Sequence, residues 1–293
     1  MIVYKTAGEK IFDIFNIILM AVLFILFLYP FMDMFSLSFA QSNTANDLKL
    51  RFLPELPLSF SAYGEIAKNK HLFTAFGNTL FRTIVGASLT TFTTFCGAFV
   101  LAKKSLPFRK SITSVILFTM FFSGGLIPSY MLIRNLGLMG TRWALILPSL
   151  TSAWYLLITR NFIMTIPPSM EEAAIVDGAG IYTTMFKIIM PLCLPIIAVI
   201  VLWSSVSHWN AYFDAMIYTP ANDKMVLQLL LRRILIENSR DVMGEIMLVT
   251  TQSTTPETVK AATIIVSIIP ILCVYPFLQK YFVKGIHIGA VKG

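Results

Sequence analysis

The sequence predicts an all-α, polytopic membrane protein with six transmembrane helices. Of its 293 residues, 56% are hydrophobic and only 13% are charged, whereas a soluble domain carries about 25% charged residues. The mean hydropathy is +0.75. Apolar segments near the length needed to cross a hydrocarbon core about 30 Å thick recur along the chain. They lie at about 11–32, 75–102, 111–133, 143–164, 191–213 and 257–282.

The polar residues inside two of these segments indicate protein or water as neighbours. Arg82 lies near one end of 75–102, and we expect its long side chain to reach the interface, with a pore-lining position as the alternative. Gly124 and Gly125 interrupt 111–133. Such breaks are tolerated where the backbone finds partners in protein or in a wet cavity, so a broken helix is expected there.

The Lys and Arg residues of the short loops predict the orientation in the plasma (inner) membrane. Residues 103–110 hold four of them, whereas residues 134–142 hold two. Because short basic loops stay in the cytoplasm, both termini are expected on that side. The full assignment places 165–190 and the tail 283–293 in the cytoplasm and the loops 33–74 and 214–256 outside.

Composition and motifs exclude several other functions. The net charge is +8, but the basic cluster at 103–110 lies between apolar segments, so lipid headgroups account for it and no nucleic acid is expected. No phosphate-cradling Gly-x-x-x-x-Gly-Lys-Ser/Thr loop occurs. The three histidines and three cysteines lack metal-ligand spacing. The sequence therefore predicts no catalytic residue, no metal site and no cofactor bound by this chain.

The polar stretch from Glu171 to Pro195 separates two very apolar segments. Read as a short helix, it places Glu171 and Glu172 in the first turn, where carboxylates favour the positive end of the helix dipole. Ala173 and Ala174 follow, and small side chains let another protein approach closely. The pattern indicates a docking helix at a membrane surface.

This stretch resembles the EAA loop of binding-protein-dependent ABC importer permeases. The family pattern is Glu-Ala-Ala, three residues, Gly, nine residues and Ile-x-Leu-Pro, and here Met190 replaces the Leu. An Asp-Gly-Ala sequence around Gly178 is common in the carbohydrate branch. The resemblance implies a type I ABC importer permease fold. The residues that it implies for coupling to an ATPase are Glu171, Glu172, Ala173, Ala174, Asp177, Gly178, Ala179, Ile188 and Pro191.

The resemblance extends over roughly residues 75–293. Asn78-Thr79-Leu80 and Trp209-Asn210 are similar to the maltose-type carbohydrate permeases. The run 122–130, Phe-Ser-Gly-Gly-Leu-Ile-Pro-Ser-Tyr, is closer to the LplC/YtcP-type branch, which is associated with complex oligosaccharides. The end of the chain, 289–293, is similar to the tail of the MalG-like subunit of maltose permeases.

The resemblance also implies partners. A second homologous permease subunit, two ATPase subunits and an extracellular sugar-binding protein would complete an importer for an oligosaccharide. ATP and Mg²⁺ would bind the ATPase subunits, so this chain would not be an enzyme, and ATP would drive alternating access. Val291, Lys292 and Gly293 are implied to contact the ATPases.

The polar end of the fifth apolar segment is the best candidate for a substrate route. Trp203, Ser207 and Asn210 share one helical face, whereas Ser204 and His208 share another. Aromatic rings beside hydroxyl and amide groups suit sugars; the alternative is an aromatic belt with helix-packing serines. The candidate pore residues are Asn78, Ser123, Tyr130, Trp203, Ser204, Ser207, His208, Trp209, Asn210 and Tyr212.

Three other functions stay open. The chain could be an ABC permease for a non-sugar solute, although its flanks resemble the carbohydrate branch. It could be an ATP-independent secondary transporter or channel, although the sequence shows neither a series of intramembrane carboxylates nor a repeat. A membrane scaffold without transport is the third alternative.

Overall fold

The computed structural model describes residues 6–41, 45, 51–220, 222–237 and 254–290, with residues 222, 236, 237 and 274–290 described by their backbone alone. Regular structure in these residues is helical, and no β-strand occurs among them. This confirms the predicted all-α class. The α-helices are α1 Ala7–Ser38, α2 Ser61–Lys68, α3 Lys70–Ala102, α4 Arg109–Phe121, α5 Leu126–Asn135, α6 Ala153–Ile163, α7 Ser169–Val176, α8 Ile181–Thr183, α9 Met190–Leu192, α10 Leu194–Asn210, α11 Phe213–Tyr218, α12 Leu227–Arg232 and α13 Pro256–Ala290. The 3₁₀ and π turns are Arg142–Leu145, Leu147–Ser149, Thr184–Ile189, Asn222–Lys224 and Arg233–Glu237.

In the described part of the chain, three helices are each long and apolar enough to cross a membrane. They are α1, α3 and the first part of α13, Pro256–Cys273. The number rises to five if each of two bent pairs counts as one span: α4 with α5, bent by 110°, and Ile181–Leu192 with α10, bent by 81°. Length and composition therefore support three to five spans, and the count of six stays a prediction.

The segment expected to form the fourth span, 143–164, is not one long helix. Two 3₁₀ turns come first, and Pro148 lies at the start of the second. Proline has no amide hydrogen to donate and does not continue an α-helix. Helix α6 then has 11 residues, or about 16 Å at 1.5 Å per residue. The predicted count of six depends on this segment.

A break lies inside the segment predicted as the third span. Helix α4 ends at Phe121 and α5 begins at Leu126. Between them, Gly125 has φ +87°, a conformation that glycine adopts at little cost because it has no Cβ. Gly125 therefore permits the sharp change of direction.

Backbone contacts divide the chain into two compact units, 1–70 with 233–269 and 71–232 with 270–293. In the first unit, a capping box between Thr6 and Glu9 begins α1. The most apolar 18-residue window of α1 has no buried residue. Its apolar side chains therefore face outward all round, as in a membrane helix.

The second unit has a core near the C-terminal end of α3. The residues buried in it come from α3, α6, the π turn, the α9–α10 junction and α10: Phe95, Ala98, Phe99, Ile163, Met185, Ile189, Cys193 and Ile196. This packing fixes both the segment before α7 and the segment after it. The core therefore positions α7 beside the end of α3.

Helices α3 and α10 approach closely at Gly86. A Cβ atom on Gly86 would lie 2.5 Å from Nε2 of His208, a distance that atoms do not adopt. The buried stripe of α10 repeats every four residues and consists of Ile196, Ile200, Ser204 and His208. The absent side chain of Gly86 makes room for the imidazole at the end of this stripe.

Arg82 is buried and paired within the chain, whereas the expected snorkelling requires an extended, accessible side chain. Its side chain is 3% exposed and forms an ion pair with Asp214 at the start of α11. One guanidinium nitrogen also donates to the carbonyl of Ala211 at 3.3 Å. Buried charges need partners of this kind, and the sequence alone gave no sign that Asp214 would supply it.

Candidate functional site

Helix α7 carries the Glu-Ala-Ala sequence and is only eight residues long. Pro168 caps it with φ −57°, a value already compatible with a helix. Glu171 and Glu172 occupy the first turn, where their charge complements the free amides at the helix start. Local sequence therefore determines where α7 begins.

Gly178 determines where α7 ends. Its φ is +79°, which glycine adopts without steric cost. The amide of Gly178 donates to the carbonyl of Ile175 at 3.0 Å, and the amide of Ala179 donates to the carbonyl of Ala174 at 2.9 Å. These two bonds form a Schellman motif, which satisfies carbonyl groups at the helix end.

Most of α7 is exposed in this chain. Ala174 is buried, and it holds the helix against the rest of the unit. Ile175 and Val176 are apolar yet 61% and 87% exposed. The exposed coupling candidates are Glu172, Ala173, Asp177 and Gly178. The surface around Ile175 and Val176 therefore has the apolar character of a surface that another protein covers.

An ion pair ties α7 to α3. Lys103 directly follows α3, and its ammonium group contacts the carboxylate of Glu171. Their side chains are 19% and 34% exposed. The ammonium also lies 4.1 Å from the centroid of the Phe99 ring, a favourable cation–π geometry. The first turn of α7 is therefore held at the C-terminal end of α3.

A cavity of about 510 Å³ opens beside this ion pair. Residues from the end of α3, from α6 and its following turn, and from α7 surround it, with Ile189 of the π turn. Lys104 and Glu172 place opposite charges at its wall, whereas much of the remaining lining is apolar. The cavity therefore lies between α7, α6 and the end of α3.

The last two residues of the motif lie beyond α7. Ile188 is half-buried and packs against the core near α3. Pro191 is exposed, in the short helix α9. The π turn Thr184–Ile189 connects α8 to α9. The motif therefore combines an exposed helix with a segment anchored in the core.

The two faces that helical spacing assigns to the end of α10 differ in burial. Ser204 and His208 are buried, whereas Ser207 and Asn210 are exposed. Trp203 is 37% exposed, on the same side as the exposed pair. That exposed face carries the hydroxyl of Ser207 and the amide of Asn210, groups of the kind that hydrogen-bond to sugars.

Two tryptophans of α10 have different surroundings. The ring centroid of Trp203 lies 6.0 Å from that of Tyr155, which belongs to α6. Trp209 is buried and meets Phe76 edge to face at 5.9 Å. Trp209 therefore packs inside this chain, whereas Trp203 keeps part of its ring accessible.

Asn78 is fully engaged within the chain. Its amide nitrogen donates to the carbonyls of Asp223 and Met225, each at 3.0 Å. Its side-chain oxygen accepts a hydrogen bond of 3.0 Å from Arg142. The hydroxyl of the neighbouring Thr79 accepts from the amide of Leu227 at 2.8 Å. The Asn-Thr pair thus fastens the segment before α12 to α3.

The other pore candidates lie apart from one another. Ser123 is exposed in the break between α4 and α5. Tyr130 of α5 stacks on Tyr218 with centroids 6.5 Å apart. The guanidinium of Arg232 lies 4.9 Å from the ring centroid of Tyr212. The predicted tail contacts Val291, Lys292 and Gly293 lie outside the described residues, and no cluster of three metal-binding side chains occurs within them.

Sequence reasoning overlooked several residues of these sites. The sequence indicates Lys103 only as part of the basic loop, because 68 residues separate it from Glu171. Ile175 carries no sequence signal of its own, because its exposure depends on how α7 packs. No motif singles out Arg232 in the sequence. Its spacing of four residues from Gln228 is the one signal that could identify it.

The apolar helices, the two bent pairs and the exposed short helix define a helical membrane protein of the transport-permease class. No protein-family model matches the chain. The polygalacturonan/rhamnogalacturonan transport system permease protein YtcP of Bacillus subtilis is 37% identical over 97% of this chain and 99% of its own length. Protein LplC of Bacillus subtilis is 35% identical over 99% of this chain and 98% of its own.

A solved structure agrees with these relatives. It is the crystal structure of a bacterial ABC transporter involved in the import of the acidic polysaccharide alginate. One chain of it superposes with a TM-score of 0.89 and 33% identity, covering 96% of this chain and 99% of that chain. The protein belongs to the family of ABC importer permeases that includes YtcP and LplC, and the resemblance identified from the EAA loop is confirmed.

Proposed function

We propose that this chain forms one half of the membrane pathway of a binding-protein-dependent importer for a complex oligosaccharide. A second, homologous permease subunit forms the other half, and two separate ATPase subunits bind and hydrolyse ATP. The observation that carries the proposal is α7, a short helix with a family motif, a fixed end at Gly178 and exposed apolar side chains. Such a helix suits docking and offers no chemistry of its own.

Helix α7 enters a cleft of an ATPase subunit. Ile175 and Val176 supply apolar contact, while Ala173 permits close approach. Glu172 and Asp177 offer carboxylates to basic groups of the cleft. When ATP closes the ATPase pair, the docked helices move together and the pathway changes from inward-facing to outward-facing. Ile188 and Pro191 pass the movement to α10.

We infer that α7 lies in the cytoplasm. Loop 103–110 is adjacent to α7 through Lys103 and carries four basic residues, which the positive-inside rule assigns to that side. Six spans put both termini there as well, and the tail at Val291 then lies on the ATPase side. The extracellular binding protein delivers its sugar to the opposite side.

The substrate is an oligosaccharide derived from a larger polysaccharide. YtcP is a permease for polygalacturonan or rhamnogalacturonan, and the structural neighbour imports alginate. The exposed face of Trp203, Ser207 and Asn210 provides an aromatic ring, a hydroxyl and an amide along the route. Sugars bind such combinations because their C–H faces stack and their hydroxyls need hydrogen-bond partners.

Purification of the tagged chain from its native membrane in mild detergent, with mass spectrometry of the associated proteins, tests the assignment. An ATPase and a second permease should be recovered with the wild-type chain. Gly178→Arg should lose the ATPase because the substitution disrupts the end of α7 and adds charge there. The matched control is Gly64→Arg, at an exposed position in α2 where a side chain meets no neighbour within 4 Å.

Recovery of the wild-type chain alone, under conditions that keep known ABC complexes intact, contradicts the importer assignment. It favours a channel or secondary transporter instead. An ATPase retained equally by Gly178→Arg and Gly64→Arg contradicts docking through α7 alone. These two results therefore separate the class of transporter from the position of the contact.

A further inference from the structure

Helix α12 turns two polar side chains outward. Leu229, Leu230 and Leu231 are buried, and they fix the helix against the rest of its unit. Gln228 and Arg232 are four residues apart and both are half-exposed. Residues at this spacing lie on one face of a helix. An amide and a guanidinium therefore stand side by side at the surface.

Arg232 has no acidic partner among the described side chains. Its Nε atom is buried and donates no hydrogen bond. Asp214, two residues after Tyr212 in the chain, is already paired with Arg82. Arg232 instead lies over the ring of Tyr212, and this stacking orients the guanidinium without neutralising it. Among the side chains that the structure describes, Arg232 is thus a positive charge without a counterion.

The surface next to Arg232 is the exposed face of α10. The amide of Gln228 lies 3.5 Å from the side-chain oxygen of Asn210, so the two helices meet there. Ser207 and Trp203 continue along the same face of α10, within two turns, or about 10 Å. This surface therefore carries a row of groups over a distance comparable with two sugar rings: a guanidinium, two amides, a hydroxyl and an indole ring.

We propose that Arg232 binds the carboxylate of a uronic acid residue in the transported oligosaccharide, which rests on the oligosaccharide route proposed above. The planar guanidinium can donate two parallel hydrogen bonds to a carboxylate. Asn210 and Gln228 bind neighbouring hydroxyl groups, and the ring of Trp203 stacks against the next sugar. A neutral sugar leaves the charge of Arg232 unpaired, so this site selects acidic oligosaccharides.

Uptake by the complete complex tests this assignment. The complex is isolated through a tag on this chain, reconstituted into vesicles with its binding protein, and supplied with ATP. The probes are the trisaccharides of galacturonic acid and of mannuronic acid, together with their carboxyl-reduced, neutral counterparts. Vesicle-associated sugar and ATP hydrolysis are measured in parallel.

The wild-type complex should take up at least one acidic trisaccharide and prefer it to its reduced form. Arg232→Gln should lower that uptake about tenfold or more, because a charge-assisted pair is lost. Arg232→Lys should retain part of it, since the charge remains but the two-pronged geometry does not. Lys224→Gln is the matched control, because it removes one positive charge from the same segment outside the cluster.

Three results overturn the proposal. Equal uptake of acidic and reduced trisaccharides by the wild-type complex contradicts a carboxylate site while leaving the sugar importer intact. An equal loss of both by Arg232→Gln assigns the residue to assembly or lipid contact. Uptake of none of the probes by a complex that contains its ATPase refutes the oligosaccharide substrate together with the role of Arg232.

Discussion

The carboxylate of Glu171 in the first turn of α7 contacts the ammonium of Lys103 at the end of α3. Glu171 directly precedes the Glu-Ala-Ala sequence. The ion pair therefore joins the exposed helix α7 to the end of the 33-residue helix α3. The ammonium also lies over the ring of Phe99. A displacement of α7 therefore acts on α3 at a defined point.

Reversing one charge of the Lys103–Glu171 pair should weaken the transfer of movement from α7 to α3. We expect Lys103→Glu to lower ATP-driven uptake severalfold, because like charges then face each other. The double change Lys103→Glu with Glu171→Lys should recover most of the uptake. The measurement is sugar transported per ATP hydrolysed in vesicles, which a loss of protein alone does not alter.

Lys104→Glu is the control for this pair, since it makes the same charge change at an exposed neighbour. An equal effect of Lys104→Glu shows that the basic loop acts through its total charge. Failure of the double change to recover uptake shows that the contact between the two side chains has no part in coupling.

Gly178→Ala should loosen the end of α7. A residue with a Cβ in the left-handed region costs about 1–2 kcal/mol, and the Schellman bonds of Gly178 and Ala179 absorb that strain. Hydrogen exchange of these two amides should become roughly tenfold faster, the factor that corresponds to about 1.4 kcal/mol. Gly180→Ala should leave exchange unchanged, because φ of Gly180 is −68°. Equal exchange in both variants contradicts a strained cap.

Asn78→Leu should destabilise the protein. It removes two hydrogen bonds to backbone carbonyls and one from Arg142, and leaves buried groups without partners, each of which costs about 1–3 kcal/mol. The midpoint of thermal unfolding in detergent should fall by several degrees. Asn135→Leu, at an exposed position, should not lower it. A normal midpoint with impaired uptake assigns Asn78 to the substrate route instead.

Asp214→Asn should lower the free energy of unfolding more than the removal of both charges does. It leaves the guanidinium of Arg82 buried without a counterion, and breaking a buried pair costs about 3–5 kcal/mol. Asp214 is 28% exposed on its side chain, so we expect the lower end of that range. The double change Arg82→Met with Asp214→Leu should recover much of the stability, measured by chemical unfolding in detergent. Equal instability of the single and double variants refutes this account.

The sequence predicted the features of this protein that depend on neighbours in the chain. Apolar content established the all-α membrane class, and the beginning and end of α7 follow from Pro168 and Gly178. The separation of Ser204 and His208 from Ser207 and Asn210 follows from helical spacing. Each of these predictions needs information from only one or two helical turns.

The features that the sequence did not reveal depend on distant partners. Asn78 is 145 residues from Asp223, and Arg82 is 132 residues from Asp214. From the sequence alone, Asn78 and Arg82 are each compatible with a pore lining and with a buried hydrogen-bond network. The packing of distant segments determines which contacts they make. The fourth predicted span failed as one helix for a related reason: hydropathy measures apolar content, whereas Pro148 interrupts the backbone.

Gly86 and His208 share a single volume, since the imidazole occupies the space in which a side chain at position 86 would stand. The two positions are therefore coupled during evolution. A methyl group at position 86 is compatible with the fold only if the residue at position 208 becomes smaller or changes its rotamer, so a chain with both groups is selected against. Among distant relatives, the two positions should change together, and the pair of residues should indicate how closely α3 and α10 approach in each protein.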